Sequence, residues 1–200
     1  MFDLPKSAYF GKIIPKEKIY SHSSAGASLE ALFVEQVERI RWLYKISPKT
    51  LNIAPGNNID EIEIIEITLR LPEPDKRILS TICKAIPQKI VFSVVFGNMI
   101  KYSLYYDKET YYSFDAAPEL IGNNIDSVWE NFVMQIGSIT VAHGRTLDEQ
   151  ISFNKEREKL IKTVSDLDKQ ARREKQPRRK YELAEEVRKF NMELELMPDG

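Results

Sequence analysis

Gly97-Asn98 separates two runs of strand-forming residues, Ile90 to Phe96 and Met99 to Tyr106. The pair suits the positive-φ demands of a tight two-residue turn, and the flanking β-branched and aromatic residues suit a pleated surface. The chain is therefore expected to contain an antiparallel hairpin, and the remaining elements must cover it.

Further strands are read on either side. Glu61 to Leu71 is rich in β-branched residues and bounded by Pro72 and Pro74. Its apolar residues fall on both parities (Ile62 and Ile64 against Ile65, Ile67, Leu69 and Leu71), so it carries a bulge near Ile64 or is covered on both faces. Asp107-Lys108 turns the chain into a candidate strand over Thr110 to Phe114.

Helical spacing starts after Ser28, a fitting N-cap, and runs through Leu29, Leu32, Phe33, Val37, Ile40, Leu43 and Tyr44 until Ser47-Pro48. It returns over Asp75 to Ile86, ahead of Pro87, and over Ile125 to Ile136 through Val128, Trp129, Phe132 and Val133. The order α, β, α, β, β, β, α predicts an α+β fold. Its sheet is mixed or mainly antiparallel, with about four strands and helices on one face.

From Leu147 the chain shifts to charged helix formers, with Phe153, Leu160, Val164, Leu167 and Ala171 along a packing seam that Arg157 interrupts. Pro177 disfavours helical geometry at Gln176, yet the pattern resumes with Leu183, Val187, Phe190 and Leu194. The reading is a C-terminal antiparallel helical hairpin over residues 147–200, after an α+β core over 27–146. Residues 1–26 have too many apolar side chains for a solvated tail and are expected to form an extended arm packed on the body.

A chain of 200 residues with 42% hydrophobic content can bury one sizeable core. The single cysteine, Cys83, lies in an apolar helical pattern, which makes the cytoplasm the expected compartment. Asp3 and Pro5 stand where a signal peptide needs a basic start and an apolar run, and no segment approaches a membrane span. Net charge is −1, so attraction to nucleic acid has to come from a local patch.

Motifs that carry chemistry are mostly missing from the sequence. His22 and His143 are far apart with no ligand spacing around them, and there is no nucleophile elbow, Walker loop or dinucleotide glycine motif. No catalytic residue, metal ligand or cofactor is assigned. Glu63, Glu66 and Asp107, with the neighbouring Glu61, carry the alternative of a divergent metal-dependent nuclease, although the hairpin offers only Ser93 and Lys101 where such an enzyme wants an acid beside its lysine. Tyr102, Tyr105, Tyr106, Tyr111 and Tyr112, with Phe114, are either alternating core and surface aromatics or a stacking surface for bases. The sharpest candidate is the basic run at the hairpin tip: Arg172, Arg173, Lys175, Arg178, Arg179 and Lys180. Several guanidinium groups there suit phosphates or an acidic partner, while the acids of the same helices offer simple intrahelical pairing.

Short signatures in order along the chain carry a family resemblance: Phe2-Asp3-Leu4-Pro5-Lys6, Ile14-Pro15-Lys16, Trp42-Leu43-Tyr44-Lys45 with Ser47-Pro48, Ala85-Ile86-Pro87, and Glu174-Lys175-Gln176 with Arg179-Lys180. Together they resemble the bacterial family called domain of unknown function 4391. The resemblance brings no catalytic residues. It implies an accessory role in restriction-like or antiphage loci, with a helicase or DNA methyltransferase from the same locus as protein partner. The expected function is thus a non-catalytic binding subunit that engages such a partner, and DNA phosphates, through the basic tip. Pairing of the hairpin with a second copy is a further reading.

Overall fold

The computed structural model describes residues 2–21, 26–113 and 116–197; His22 and Phe114 lie outside them. The chain divides into two compact units, Met1–Ile139 and Thr140–Gly200.

The first unit is built on one six-stranded sheet, two strands more than expected, in the sequential order β1 to β6. Its strands are β1 (Tyr9–Ile13), β2 (Val37–Ile46), β3 (Ile62–Leu69), β4 (Lys89–Phe96), β5 (Met99–Tyr106) and β6 (Glu109–Ser113). Only β3 and β4 run parallel, and the helix between them, α4 (Lys76–Ala85), is the crossover such a pair requires. The expected hairpin is present: Val94 faces Lys101 across it, and Gly97 takes φ 56° in the turn. Asp107 and Lys108 turn β5 into β6 with φ 45° and 67°.

The long helix read from Ser28 to Tyr44 is corrected by the structure. Helix α2 (Ala27–Gln36) stops before Val37, and the rest is β2. Two register shifts against β3, between Val37 and Arg39 and between Trp42 and Tyr44, each insert an extra residue into β2. These bulges convert the two-residue period of a strand into burial at Val37, Ile40, Leu43 and Ile46. Spacing by three is what a helix would also produce. Ser47-Pro48 then opens the short helix α3 (Pro48–Leu51), with Pro48 at its first position.

β3 resolves its two parities by being covered on both faces, and its bulged partner is β2. On one face Ile65, Ile67 and Leu69 join Ile90, Phe92 and Val94 of β4 in a core. That core is closed by Ile78, Leu79 and Ile82 of α4, Leu29 and Phe33 of α2, and Ile19 of α1 (Lys16–Tyr20). On the other face lies α5 (Ile125–Gly137), whose Trp129 meets Tyr106 and whose Phe132 meets Phe2. Phe2 in turn stands edge-on to Tyr102. Helices thus flank both faces, correcting the expectation of a single helical layer. The reason is local: β3 and β4 bury apolar side chains on both parities, and one helical layer would leave half of them in water.

The second unit carries α6 (Leu147–Arg173) and α7 (Pro177–Glu195), the expected helical hairpin. Thr146 and Glu149 form a reciprocal capping box at its start, Thr146 N–H donating to Glu149 Oε2 at 2.8 Å. Extended backbone at Glu174 and Gln176, followed by Pro177, breaks the two helices apart. No described helix is long and apolar enough to cross a membrane.

Candidate functional site

The six predicted cations do gather at the hairpin tip. Arg172 and Arg173 close the last turn of α6, Lys175 lies in the link, and Arg178, Arg179 and Lys180 fill the first turn of α7. Three of them have carboxylate partners. Arg172 pairs with Asp168 at 2.8 Å, while Arg178 and Arg179 share Glu182 at 3.3 and 3.2 Å. Arg173, Lys175 and Lys180 have no ion pair among the described residues. Nor does Glu174 neutralise them directly. Its Oε1 accepts the backbone N–H groups of Lys175 (2.7 Å) and Gln176 (2.9 Å), and the bonds from Gln176 and Lys175, with the charge of Arg179, hold its carboxyl below the usual range.

The start of α7 adds to this field. Gln176 provides no side-chain cap, and no acidic residue stands in the first turn. Backbone N–H groups and three bases therefore share the positive end of a helix dipole, an arrangement that favours an anion. Arg173, Glu174, Lys175, Gln176 and Arg179 border an open groove at this tip, with Gln170 and Leu183 beneath.

The acids named for nuclease chemistry do not converge. Glu63 and Glu66 lie three apart on β3 and so point to opposite faces, and Asp107 sits in the turn after β5. Ser93 stands opposite Glu66, whereas Lys101 stands on the other face, opposite Val94. Among the described residues no three His, Cys, Asp or Glu come together as a metal-holding group, and His143 is exposed.

Two charged groupings escaped the sequence reading. Arg41 lies opposite Glu66, with Nη2 2.9 Å from Oε1, and Arg39 completes a cluster at 4.0 Å. On the other face Lys45 lies opposite Glu63 and pairs with Glu61. Glu63 is 4% exposed and its Oε2 has no hydrogen-bond partner. Burial, then the neighbouring Glu61 carboxylate, push its pKa up to about 7 against the opposing pull of Lys45 and Trp42. Arg39, Arg41 and Lys45 were hidden because their segment has helical spacing; the alternation of Arg39 and Arg41 was the available signal.

A mixed sheet with flanking helices and a helical hairpin with a basic tip define an α+β protein. The chain belongs to the family described as Domain of unknown function (DUF4391), whose model matches residues 2–194, as the short signatures implied. Comparison with curated proteins and with solved structures finds no match.

Proposed function

We propose that this chain is a non-catalytic binding module that contacts nucleic-acid phosphates through the tip of its C-terminal hairpin. The observation that carries the reading is the set of three cations, Arg173, Lys175 and Lys180, left without carboxylate partners beside three more that share only Asp168 and Glu182. Bases at a helix N-terminus cost roughly 0.3–1 kcal/mol each. A phosphate seated there offsets that repulsion and accepts hydrogen bonds from arginine and backbone alike. The accessory role beside a helicase or DNA methyltransferase, implied by the family resemblance, gives such a module a setting.

The test is a titration of labelled duplex and single-stranded DNA with the full chain and with a variant in which Arg172, Arg173, Arg178, Arg179 and Lys180 are all glutamine. Affinity should fall steeply with salt, as counterion release demands, and should collapse in the variant. Binding that ignores both salt and the substitutions would refute the reading. No binding by the unaltered chain would turn the search to an acidic protein partner.

A further inference from the structure

The five tyrosines of the last two strands are sorted by register. Tyr102, Tyr106 and Tyr111 share the face that carries α5, while Tyr105 and Tyr112 share the face that carries α4. Tyr102 and Tyr106 are committed to Phe2 and Trp129. Tyr105 and Tyr112 have neither a ring partner nor a side-chain hydrogen bond among the described residues, and Tyr112 is 37% exposed. Aromatic rings held on a sheet, part exposed and without partners, are an available stacking surface.

The surroundings of these rings are cationic. They form the floor of a groove of about 610 Å³, with Lys76, Arg77 and Ser80 of α4 along one side and Lys108 at the turn. That volume suits a small ligand. Arg77 is fixed at the rim by Asp75, Nε to Oδ1 at 2.9 Å and Nη2 to Oδ2 at 2.8 Å. Lys76 and Lys108 carry no ion pair among the described residues. Glu109 is the one acid among the described residues that line the groove.

We infer that this groove seats one nucleotide of a single strand, its base against Tyr105 and Tyr112 and its phosphate at Lys76 and Lys108. The inference rests on the reading of the chain as a nucleic-acid-contacting module, and adds the place where a base is met. Aromatic rings supply sequence-tolerant stacking and the lysines supply charge, the two ingredients of single-strand binding. The hairpin tip, by contrast, offers charge without an aromatic surface lining its groove.

The experiment uses the full chain and three variants: Tyr112→Ala, Lys108→Asn, and the tip variant above. Asparagine is chosen because Lys108 sits at positive φ, which it tolerates. Adenosine monophosphate is titrated while amide shifts are followed by NMR, and labelled oligothymidylate is titrated by fluorescence anisotropy. Shifts are expected around residues 76–80 and 105–112, with affinity for both probes falling roughly tenfold in Tyr112→Ala. Lys108→Asn should weaken the monophosphate but leave binding of unphosphorylated adenosine unchanged. The tip variant should bind the monophosphate as the unaltered chain does, which separates this site from the tip. Absence of shifts in the groove, or unchanged affinity in both groove variants, overturns the inference. Monophosphate binding without oligothymidylate competition overturns its single-strand part and leaves a free-nucleotide site.

Discussion

Arg41 and Glu66 stand directly opposite each other on β2 and β3, with Arg41 Nη2 2.9 Å from Oε1 and 3.1 Å from Oε2. Glu66 is 8% exposed, and Arg41 Nε is buried without a hydrogen-bond partner. Removing one member of such a pair strands the other's charge, whereas removing both strands nothing. Because the Arg41 side chain retains 32% exposure, solvent screens part of that penalty. Glu66→Ala is expected to destabilise the chain by about 2 kcal/mol, and the double change Arg41→Met with Glu66→Leu by distinctly less. Urea unfolding at constant m-value measures both. A double variant as unstable as Glu66→Ala would show that the pair stabilises the sheet outright.

Asp126, in the first turn of α5, holds a loop that is remote in sequence. Its carboxylate accepts the backbone N–H groups of Asn57 at 2.7 Å, Asn58 at 3.2 Å and Ile59 at 2.9 Å. Gly56 sits so close that a Cβ there would come within 2.2 Å of Asp126 Oδ1. Charge-assisted bonds to backbone are among the stronger ones, and donors released from them are partly rehydrated at this exposed edge. Asp126→Ala should cost about 1–3 kcal/mol and raise hydrogen exchange at Asn57 to Ile59 ahead of the β3 amides. Exchange that rises equally in loop and strand would show that the contact supports the whole sheet.

What was legible in the sequence follows from how each element marks itself. The β4–β5 hairpin, α4, α5 and the helical pair were readable because their apolar periods are regular and turn residues or proline bound most of them: Gly97 turns the hairpin, Pro87 follows α4, and Pro177 parts the helical pair. β2 was not, since its two bulges give a strand the spacing of a helix. β1 was read only as an extended arm because it is five residues long and irregular, with Gly11 at φ 61° and a register shift between Tyr9 and Lys12. The tip cations are contiguous, so composition revealed them. The tyrosine groove joins Lys76 and Arg77 to Tyr105 and Tyr112 only after α4 crosses over the sheet, a relationship no local window contains.

Glu63 supplies a prediction for pH. Its carboxyl is raised from 4.5 to about 7, chiefly by burial and then by Glu61. The folded chain therefore holds this proton more tightly than the unfolded chain does, and binds more protons between those two values. By linkage its contribution to stability is fully present below about pH 4.5 and is lost as pH rises through about 7. A shift of this size corresponds to about 3 kcal/mol at most. Other carboxylates push the other way at acid pH: Asp75, held down to about 2 by its bonds to Arg77, loses stabilisation only as pH falls towards that value. The window between pH 5 and 8 is thus where the Glu63 slope is read. Glu63→Gln, which keeps the shape without the charge, should flatten it and leave the chain more stable than its parent at pH 8. Urea midpoints across this window decide the matter: parallel profiles for the two chains would mean that Glu63 stays ionised in the folded sheet.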